Sequence, residues 1–393
     1  MMKRRTLLRV LGGGAIAAAG AGLAGCSSAL PPEAVAAWQG PGSRRADEDP
    51  RRWILSWAIL APHSHNLQSW IVDLRRPGEI TLLLDRTRLL PETDPFARQI
   101  MMSQGTFLEL LDLAARECGL RTDITLFPDG LFEPRVAAGE SPVPRATARI
   151  RLEADAVVTR DPLFAQIPRR HTNRQAYEAR TPEAAALAAI HQAAQQPGLR
   201  VASATAAEGR LAEHRRIAQE AWRIELVTPR TMMESLRVLR VGPSEIAAHR
   251  DGLSINEPLV RMLAAVGLFD RSKVPGPDDM AVKRQIQDFN AHIESTPAFF
   301  SIVSEGNDRA TQVQAGRAYV RAQLAATAQG LVMHPLQQAL QEYPEQAAHH
   351  AAIHGLLGAR PGRDTVQMWA RLGYAPPVGP SPRRGVDAHL LRA

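Results

Sequence analysis

Cysteine is scarce in this 393-residue sequence, which contains only Cys26 and Cys118. If Cys26 carries a modification, no pair remains for an intrachain disulfide, and the fold must rest on its hydrophobic core. Beyond the N-terminal segment no apolar run is long enough to cross a bilayer, and the hydrophobic content of 45% is ordinary for a globular protein. The sequence therefore predicts a globular fold without disulfides or membrane spans.

Excess charge is also small. The formal charge is +7, of which four positive charges belong to Lys3, Arg4, Arg5 and Arg9 in a segment without acids, leaving +3 on the rest of the chain. A charge of this size does not indicate a nucleic-acid-binding protein.

The N-terminus has the pattern of a targeting segment. The pair Arg4-Arg5 followed by Leu7 and Leu8 resembles a twin-arginine signal, which exports folded proteins, often with a cofactor. The tetrad that ends in Cys26, Leu-Ala-Gly-Cys, resembles a bacterial lipobox, which predicts lipidation of Cys26. An uncleaved anchor or a chance cysteine is the alternative. We expect a periplasmic lipoprotein that contacts the membrane through its lipid only.

The chain divides into five predicted segments. Residues 1–25 are the signal, and residues 26–48, rich in Ala, Pro, Gly and Ser, predict a tether. Residues 49–160 and 161–393 form two similar halves, and residues 228–294 interrupt the second half. This inserted segment is either a lid or a plain helical subdomain.

Periodicity and turn residues predict the elements of both halves. Helices are expected over residues 51–60, 96–118, 182–195 and 314–329. Strands are expected over residues 70–74, 79–85, 123–127, 147–153, 199–203, 297–304 and 365–372. The order helix, turn and strand of the first half is repeated in the second.

The loop over residues 61–70, Ala-Pro-His-Ser-His-Asn-Leu-Gln-Ser-Trp, is the first candidate binding element. It lies between a predicted helix and strand, where backbone N–H groups and short polar side chains can reach a ligand. Asn66 and Gln68 each offer a donor and an acceptor, which the pyrimidine edge of an isoalloxazine ring requires. An Asx-turn that only starts the strand is the alternative.

The second candidate element is Arg169-Arg170-His171-Thr172-Asn173-Arg174, directly before a helix. Forked guanidinium groups with a hydroxyl are suited to a phosphate monoester. Alternate residues of an extended segment point to one side, which would bring Arg170, Thr172 and Arg174 together. A solvated basic surface is the alternative.

Together the two elements resemble motifs of the nitroreductase superfamily, in particular its single-chain branch, the Acg family of FMN-binding proteins. In typical members an Arg-x-Ser-x-Arg motif holds the FMN phosphate, and Arg170, Thr172 and Arg174 match it. A second motif comes from the partner subunit, and its matches are Ala61, Pro62, Asn66, Gln68 and Trp70. The resemblance extends over Ala315-Gly316 to Gly330-Leu331 and over Ser381 to Arg384. His63 and Ser69 depart from the usual Ser and Pro.

Each half retains the motif that the other lacks, so the resemblance implies one site and not two. It implies an α+β fold, a nitroreductase-like mixed α/β sandwich built as a tandem fused pseudo-dimer with an inserted helical, lid-like segment, acting as a monomer. The residues expected to bind FMN are Pro62, His63, Ser64, Asn66, Gln68, Arg170, His171, Thr172, Arg174, Gln329, Gly330, Leu331, Arg383 and Arg384.

The resemblance implies an oxidoreductase in which the flavin transfers hydride or electrons to a small-molecule acceptor or redox partner, with no catalytic side chain and no metal. An FMN storage protein without turnover is the alternative. A third interpretation is a periplasmic interaction module that has lost its cofactor. His349, His350 and His354 lack the Glu or Cys of a zinc site and predict surface or capping histidines.

Overall fold

The computed structural model describes residues 28–44, 48–137 and 139–392, so the signal and Cys26 lie outside the described residues. A short helix, α1 (Pro32–Val35), continues into a 3₁₀ turn over Ala36–Gln39. Ala34 and Trp38 are buried here, and the Ala34 carbonyl accepts a hydrogen bond from the Arg383 amide at 2.9 Å. Within the predicted tether, residues 32–39 therefore pack against the C-terminal segment.

The first half forms one antiparallel sheet against a long helix. Helix α2 (Pro50–Ala58) begins where Asp49 accepts a hydrogen bond from the Arg51 amide at 3.0 Å. A hairpin of β1 (Trp70–Asp73) and β2 (Glu79–Leu84) precedes α3 (Arg98–Glu117), β3 (Leu120–Leu126) and β4 (Arg145–Ala154). The strand order is β1-β2-β4-β3. These elements follow the predicted ones closely.

The second half repeats this arrangement around a large insertion. Helix α4 (Ala184–Ala193) and β5 (Leu199–Ala204) open it. The inserted elements are α5 (Leu211–Val227), α6 (Pro229–Arg237), β6 (Leu239–Val241), α7 (Pro243–His249), β7 (Leu253–Ile255), α8 (Pro258–Ala265) and α9 (Met280–Glu294). The repeat resumes with β8 (Ala298–Glu305), α10 (Arg309–Ala328), β9 (Val332–Pro335), α11 (Ala347–Leu356) and β10 (Asp364–Gly373). Its strand order, β5-β8-β10-β9, reproduces that of the first sheet.

Two glycines mark the crossing of the central helices α3 and α10. A Cβ atom on Gly105 would lie 1.9 Å from the Val313 carbonyl oxygen, and one on Gly316 would lie 1.9 Å from the Met102 carbonyl oxygen. Both helices have 20 residues, and each glycine is the eighth of its helix. The contacts are thus reciprocal, as an approximate two-fold axis requires. The expected α+β pseudo-dimer around long central helices is confirmed.

Buried ion pairs also join the central helices. Glu109 of α3 is 2% exposed and contacts Arg317 at 2.7 Å and Arg321 at 2.8 Å, both on α10. Arg321 also contacts Asp161, in the connection between the halves, at 2.9 Å. The two halves are therefore held by charge as well as by close helix packing.

The insertion between β5 and β8 has a core of its own, with Met232, Val260 and Leu263 among its buried residues. It begins before the predicted residue 228, because α5 already departs from the repeat. Glu234 on α6 fixes it to the first half by accepting hydrogen bonds from the amides of Glu92 and Thr93, both at 2.9 Å. In the part of the chain that the structure describes, no helix combines the length and apolarity needed to span a bilayer.

Candidate functional site

The loop between α2 and β1 is held by a polar face on α3. Ser103 accepts a hydrogen bond from the Ser64 amide at 3.2 Å, and Thr106 donates one to the Pro62 carbonyl at 2.7 Å. Gln104 donates to the Ser69 carbonyl at 3.1 Å. These buried polar residues satisfy loop groups that would otherwise be orphaned, and the loop is therefore fixed in position by the helix.

Three residues of this loop adopt left-handed backbone conformations. His65, Asn66 and Gln68 have φ angles of 48°, 54° and 53°. Each costs about 1 kcal/mol for a residue with a Cβ, somewhat less for Asn. Strain that is retained in a short segment is typical of binding sites, because it fixes unusual directions for backbone groups.

The Asn66 and Gln68 side chains are already hydrogen-bonded within the protein. The Asn66 amide nitrogen donates to the Pro382 carbonyl at 3.0 Å, and its oxygen accepts from Arg383. Gln68 donates to the Arg250 carbonyl at 2.9 Å and accepts from the Arg384 amide at 3.0 Å. The expected contacts of these two amides with a flavin ring therefore stay a prediction, and they would require an exchange of partners.

His63 is a neutral structural residue in this arrangement. Its Nε2 accepts from the Ser69 amide at 3.1 Å, so Nδ1 carries the proton and donates to the Ser64 carbonyl at 2.8 Å. Burial lowers the pKa of His63 to about 3. Because both ring nitrogens are used, His63 orients the loop.

The segment with Arg170, Thr172 and Arg174 lies beside β9. Thr172 forms a parallel bridge with Met333, and the Asn173 amide donates to the Met333 carbonyl at 3.0 Å. Strand β9, which was not predicted, follows the turn at Gly330. The pairing therefore brings the predicted phosphate motif next to the strand that follows the Gly330-Leu331 turn. Gln329 and Gly330 are exposed at the end of α10, and Leu331 is buried in the core of the second sheet.

Two buried arginines meet over the indole of Trp38. The guanidinium carbons of Arg170 and Arg383 lie 5.6 Å and 5.3 Å from the Trp38 ring centroid, and the His171 ring lies 5.1 Å from it. Trp38 itself donates to the Ser381 carbonyl at 2.8 Å. We call Trp38, Arg170, His171 and Arg383 the arginine cluster. It joins the N-terminal segment, the second half and the C-terminal segment.

The arginine cluster has no acid to balance it among the described residues. Arg170 donates only to the Leu60 carbonyl and the Gln323 amide, at 2.9 Å and 3.1 Å, and Arg383 to carbonyl, amide and hydroxyl oxygens. Desolvation lowers the pKa of Arg170 to about 10 and that of Arg383 to about 9, and their mutual repulsion adds to the second shift. A buried cation without a counterion is costly, so the cluster favours an anion.

Several donors around this cluster are buried without a partner. They include Nε of both Arg170 and Arg383 and the Nε2 amide of Gln323. A phosphate has enough acceptor oxygens to satisfy such a set. The donors present therefore fit the phosphate end of FMN, whereas the amides of Asn66 and Gln68 are not free for its ring.

Arg174 lies near the cluster. Its side chain is exposed, and desolvation lowers its pKa. Arg174 also lowers the pKa values of His65 and His334, and both Arg170 and Arg174 act on the buried hydroxyl of Tyr319, which has no hydrogen-bond partner. The expectation that Arg170 and Arg174 point to one side is consistent with this arrangement.

Arg384 belongs to the edge of the site. It donates to the Gln68 carbonyl, and desolvation lowers its pKa to about 10. Two surface cavities, of about 290 Å³ and 580 Å³, lie elsewhere, beside Pro50 and beside Pro258.

His354 was predicted to be a surface or capping histidine and not a metal ligand. It accepts a hydrogen bond from the Val366 amide at 3.0 Å and contacts the His350 carbonyl at 2.7 Å, so its role is structural.

The sequence did not reveal Trp38, Tyr319 or Gln323 as site residues. Trp38 stands in an Ala- and Pro-rich stretch that resembles a linker, and its role depends on a contact with residues more than 340 positions away. Tyr319 and Gln323 are one turn apart on α10, but that helix also carries Gln312, Arg317 and Arg321, so no local pattern distinguished them.

The chain is similar to curated relatives along most of its length. A candidate NAD(P)H nitroreductase of Mycobacterium tuberculosis is 27% identical over 351 residues, which cover 86% of this chain and 90% of the relative. An uncharacterised protein of the same species is 34% identical over 107 residues, 26% of this chain. No protein-family model matches the sequence. The relatives support the resemblance to the nitroreductase superfamily.

Two solved structures illustrate the similarity. A nitroreductase with bound FMN from Bacteroides fragilis is 14% identical, with 57% of this chain covering 97% of that one at a TM-score of 0.34. An FMN-dependent nitroreductase from Mycobacterium smegmatis in complex with NADPH is 18% identical, with 53% of this chain covering 86% of that one at a TM-score of 0.33.

Proposed function

We propose that this chain is an FMN-binding oxidoreductase of nitroreductase type that holds one FMN between its two halves. The observation that carries the proposal is the arginine cluster, in which two buried guanidinium groups share the Trp38 ring without an acid. A phosphate monoester supplies the missing charge and accepts from the donors that lack partners. Arg170 and Arg383 bind the phosphate, and the side-chain amide of Gln323 completes its contacts.

The remaining residues orient the flavin. Arg174 lies next to the phosphate position, where its charge lowers the pKa of His65 and acts on the Tyr319 hydroxyl. Pro62, Ser64 and the strained backbone at residues 65–68 form the wall contributed by the first half. When bound, FMN supplies hydride or electron transfer, and the protein supplies binding, orientation and electrostatics. The name of the mycobacterial relative favours NAD(P)H as donor and a small molecule as acceptor.

A second candidate function, FMN storage without turnover, is favoured by the cover over the loop. The turn between α7 and β7 bonds this loop twice, from Gly252 to the Asn66 carbonyl at 3.1 Å and from Gln68 to the Arg250 carbonyl at 2.9 Å. A cover of this kind could exclude a second substrate from the ring. Anaerobic mixing with NADPH separates the two functions: bleaching of the flavin band that returns with a quinone or nitroaromatic acceptor supports a reductase, and an unbleached band supports storage.

Binding is tested by comparing FMN with riboflavin, which lacks the phosphate. The proposal predicts that purified full-length protein retains FMN on dialysis and binds riboflavin at least about 100-fold more weakly. Arg174→Ala should weaken FMN retention without unfolding the protein. The matched control is Arg169→Ala, since the Arg169 side chain is exposed and hydrogen-bonds to Gln166. Equal affinity for the two flavins, or equal retention by both variants, contradicts the proposal.

We also propose that the protein is exported by the twin-arginine route and anchored by a lipid on Cys26. The signal-like pattern of residues 1–25 supports this. Mass spectrometry of the membrane fraction should find a diacylated N-terminal Cys26, and Cys26→Ser should release the protein from that fraction. An unmodified Cys26 in the mature chain would contradict the anchor.

A further inference from the structure

The first residues that the structure describes, which include Ala29, lie beside the start of helix α8. The Asn256 side chain, two residues before α8, donates a hydrogen bond to the Ala29 carbonyl at 2.6 Å. Helix α1 then packs against α7, the inserted helix that precedes β7 and α8. The first described residues are therefore fixed on the insertion.

This attachment limits how far Cys26 can lie from α8. Three residues separate Cys26 from Ala29, and an extended chain spans at most about 3.6 Å per residue. The chain between Cys26 and Ala29 is therefore at most about 11 Å long. A lipid on Cys26, as proposed above, would hold the membrane surface close to this part of the insertion.

Helix α8, which begins two residues after Asn256, exposes an apolar stripe. Leu259 and Met262 are 56% exposed, and Val266, just past the helix end, is 63% exposed. Their spacing of three and four residues places them on one face. The other face is also apolar, since Val260 and Leu263 are buried in the core of the insertion. Helix α8 is thus apolar on a face that no described residue covers.

The surroundings of the stripe suit the surface of a bilayer. Residues 258–269 contain one charged side chain, Arg261, and charged residues of both signs follow at the margin, where Lys273 pairs with Asp270 at 2.8 Å. The surface cavity of about 580 Å³ beside Pro258 is also lined by Met262 and Ala265. An apolar face bordered by charged residues is typical of helices that lie in the membrane interface.

We propose that the exposed face of α8, formed by Leu259, Met262 and Val266, docks on the lipid bilayer beside the anchored N-terminus. The acyl chains on Cys26 would tether the protein without fixing its orientation, and a second apolar contact with the bilayer orients it. The sequence alone predicted contact through the lipid only. The proposal rests on the anchor at Cys26 and is independent of FMN binding.

The test uses full-length lipidated protein, in which Cys118 is replaced by Ser and Met262→Cys carries an environment-sensitive dye. The protein is reconstituted into vesicles with or without brominated acyl chains, which quench dyes in the membrane. The matched control is Val157→Cys, because Val157 is a more exposed apolar residue, 83% accessible, in the first half. We expect at least about twofold quenching at position 262 and none at position 157.

Equal emission from both labelled variants in the two kinds of vesicle would overturn the proposal. A dye at position 262 that is shielded without being quenched, together with efficient cross-linking of two Met262→Cys chains, would assign the face to a second copy and also overturn it. Flavin content is measured on the same samples, so a failure of docking is distinguishable from a failure of FMN binding.

Discussion

Arg170 is the residue whose surroundings depart most clearly from what stability alone requires. It is 2% exposed, has no acid among the described residues and leaves Nε unsatisfied. Arg98 is buried to the same extent but donates to two backbone carbonyls and approaches Glu342 at 3.6 Å. Arg98 thus has a carboxylate partner within the protein, whereas the charge of Arg170 has none among the described residues.

Replacement of Arg170 by Met should therefore have opposite effects on stability and on binding. The flavin-free protein should lose no more than about 1 kcal/mol of unfolding free energy, because removing an uncompensated charge offsets the lost hydrogen bonds. FMN binding should weaken about 30-fold, which corresponds to about 2 kcal/mol for charge-assisted bonds to phosphate. Denaturant unfolding and FMN titration measure the two quantities.

The control for this prediction is Arg98→Met, which should destabilise the protein by about 3 kcal/mol by leaving Glu342 unpaired. If Arg170→Met destabilises the protein as strongly as Arg98→Met and leaves FMN affinity unchanged, Arg170 has only a structural role.

Local pattern selected candidate site residues in both halves but could not show their environment. Arg170, Thr172 and Arg174 were selected by residue type and spacing, and the bridge to Met333 places them beside the second sheet. Asn66 and Gln68 were selected in the same way, yet the partners of their side chains are distant in sequence: Arg383 for Asn66 and Arg384 for Gln68. Hydrogen bonds between distant segments leave no local pattern, so sequence reasoning could not detect that these amides were occupied.

At the scale of elements, the junction of α5 and α6 contains a buried carboxylate pair. Glu225 accepts a hydrogen bond from Gln341 at 2.6 Å, and burial, with a contribution from Glu234, raises its pKa to about 7. Glu234 is the group that fixes the insertion to Thr93. The attachment of the insertion is therefore sensitive to the charge of this pair.

This pair predicts a stability that falls as pH rises. The folded pKa of Glu225, about 7, lies above its ordinary value of 4.5, so the folded state binds the proton more tightly than the unfolded state. The stability it contributes is fully present below pH 4.5 and is lost as pH rises through about 7. Glu225→Gln should remove up to about 3 kcal/mol of this loss, so that the variant matches wild type at pH 4.5 and exceeds it at pH 8.

Denaturant unfolding at several pH values checks this prediction. The control is Glu213→Gln on the same helix, because Arg210 lowers the pKa of this exposed carboxyl and its substitution cannot abolish a loss at rising pH. A Glu225→Gln variant that follows the wild-type pH dependence would show that burial at this junction does not perturb the carboxyl.

Elements with strong periodicity were predicted well, and short elements were not. Helix α10 was predicted from residue 314 but begins at Arg309, where Asp308 accepts from the Thr311 amide at 2.9 Å. Strand β9 has only four residues and depends on pairing with β10, so its local pattern carries little information. Helix α5 was not predicted, because the predicted insertion began at residue 228, where clusters of Met, Pro and Gly interrupt the repeat.

At the scale of the whole molecule, the reciprocal glycine contact is the feature that makes two sheets one protein. A side chain at either glycine meets backbone, which cannot move aside without separating α3 from α10. Gly105→Ala should therefore cost about 3 kcal/mol of unfolding free energy through overpacking. Gly316→Ala should cost about as much, because the two positions are equivalent.

Gly355→Ala in α11 is the control for both substitutions, since its Cβ would meet nothing within 4 Å. It should stabilise the protein by up to about 1 kcal/mol through helix propensity. Calorimetric unfolding measures all three variants, and a neutral Gly105→Ala would show that the central helices do not approach this closely in solution.

The arrangement of the site also follows from the whole molecule. The two halves share a strand order, but the arginine cluster combines Trp38 from the N-terminal segment, Arg170 from the second half and Arg383 from the C-terminal segment. The other side of the pseudo-two-fold axis lacks a corresponding motif, since the two FMN motifs occur once each in the sequence. A symmetric frame therefore carries an asymmetric site.

The flavin content of the purified full-length protein tests this account most directly. Absorbance between 350 and 500 nm, calibrated against FMN released by denaturation, gives the number of flavins per chain. The account predicts about one FMN per chain, released as the phosphate ester and not as riboflavin. Two FMN per chain, or a protein that remains colourless after incubation with excess FMN and dialysis, would contradict it.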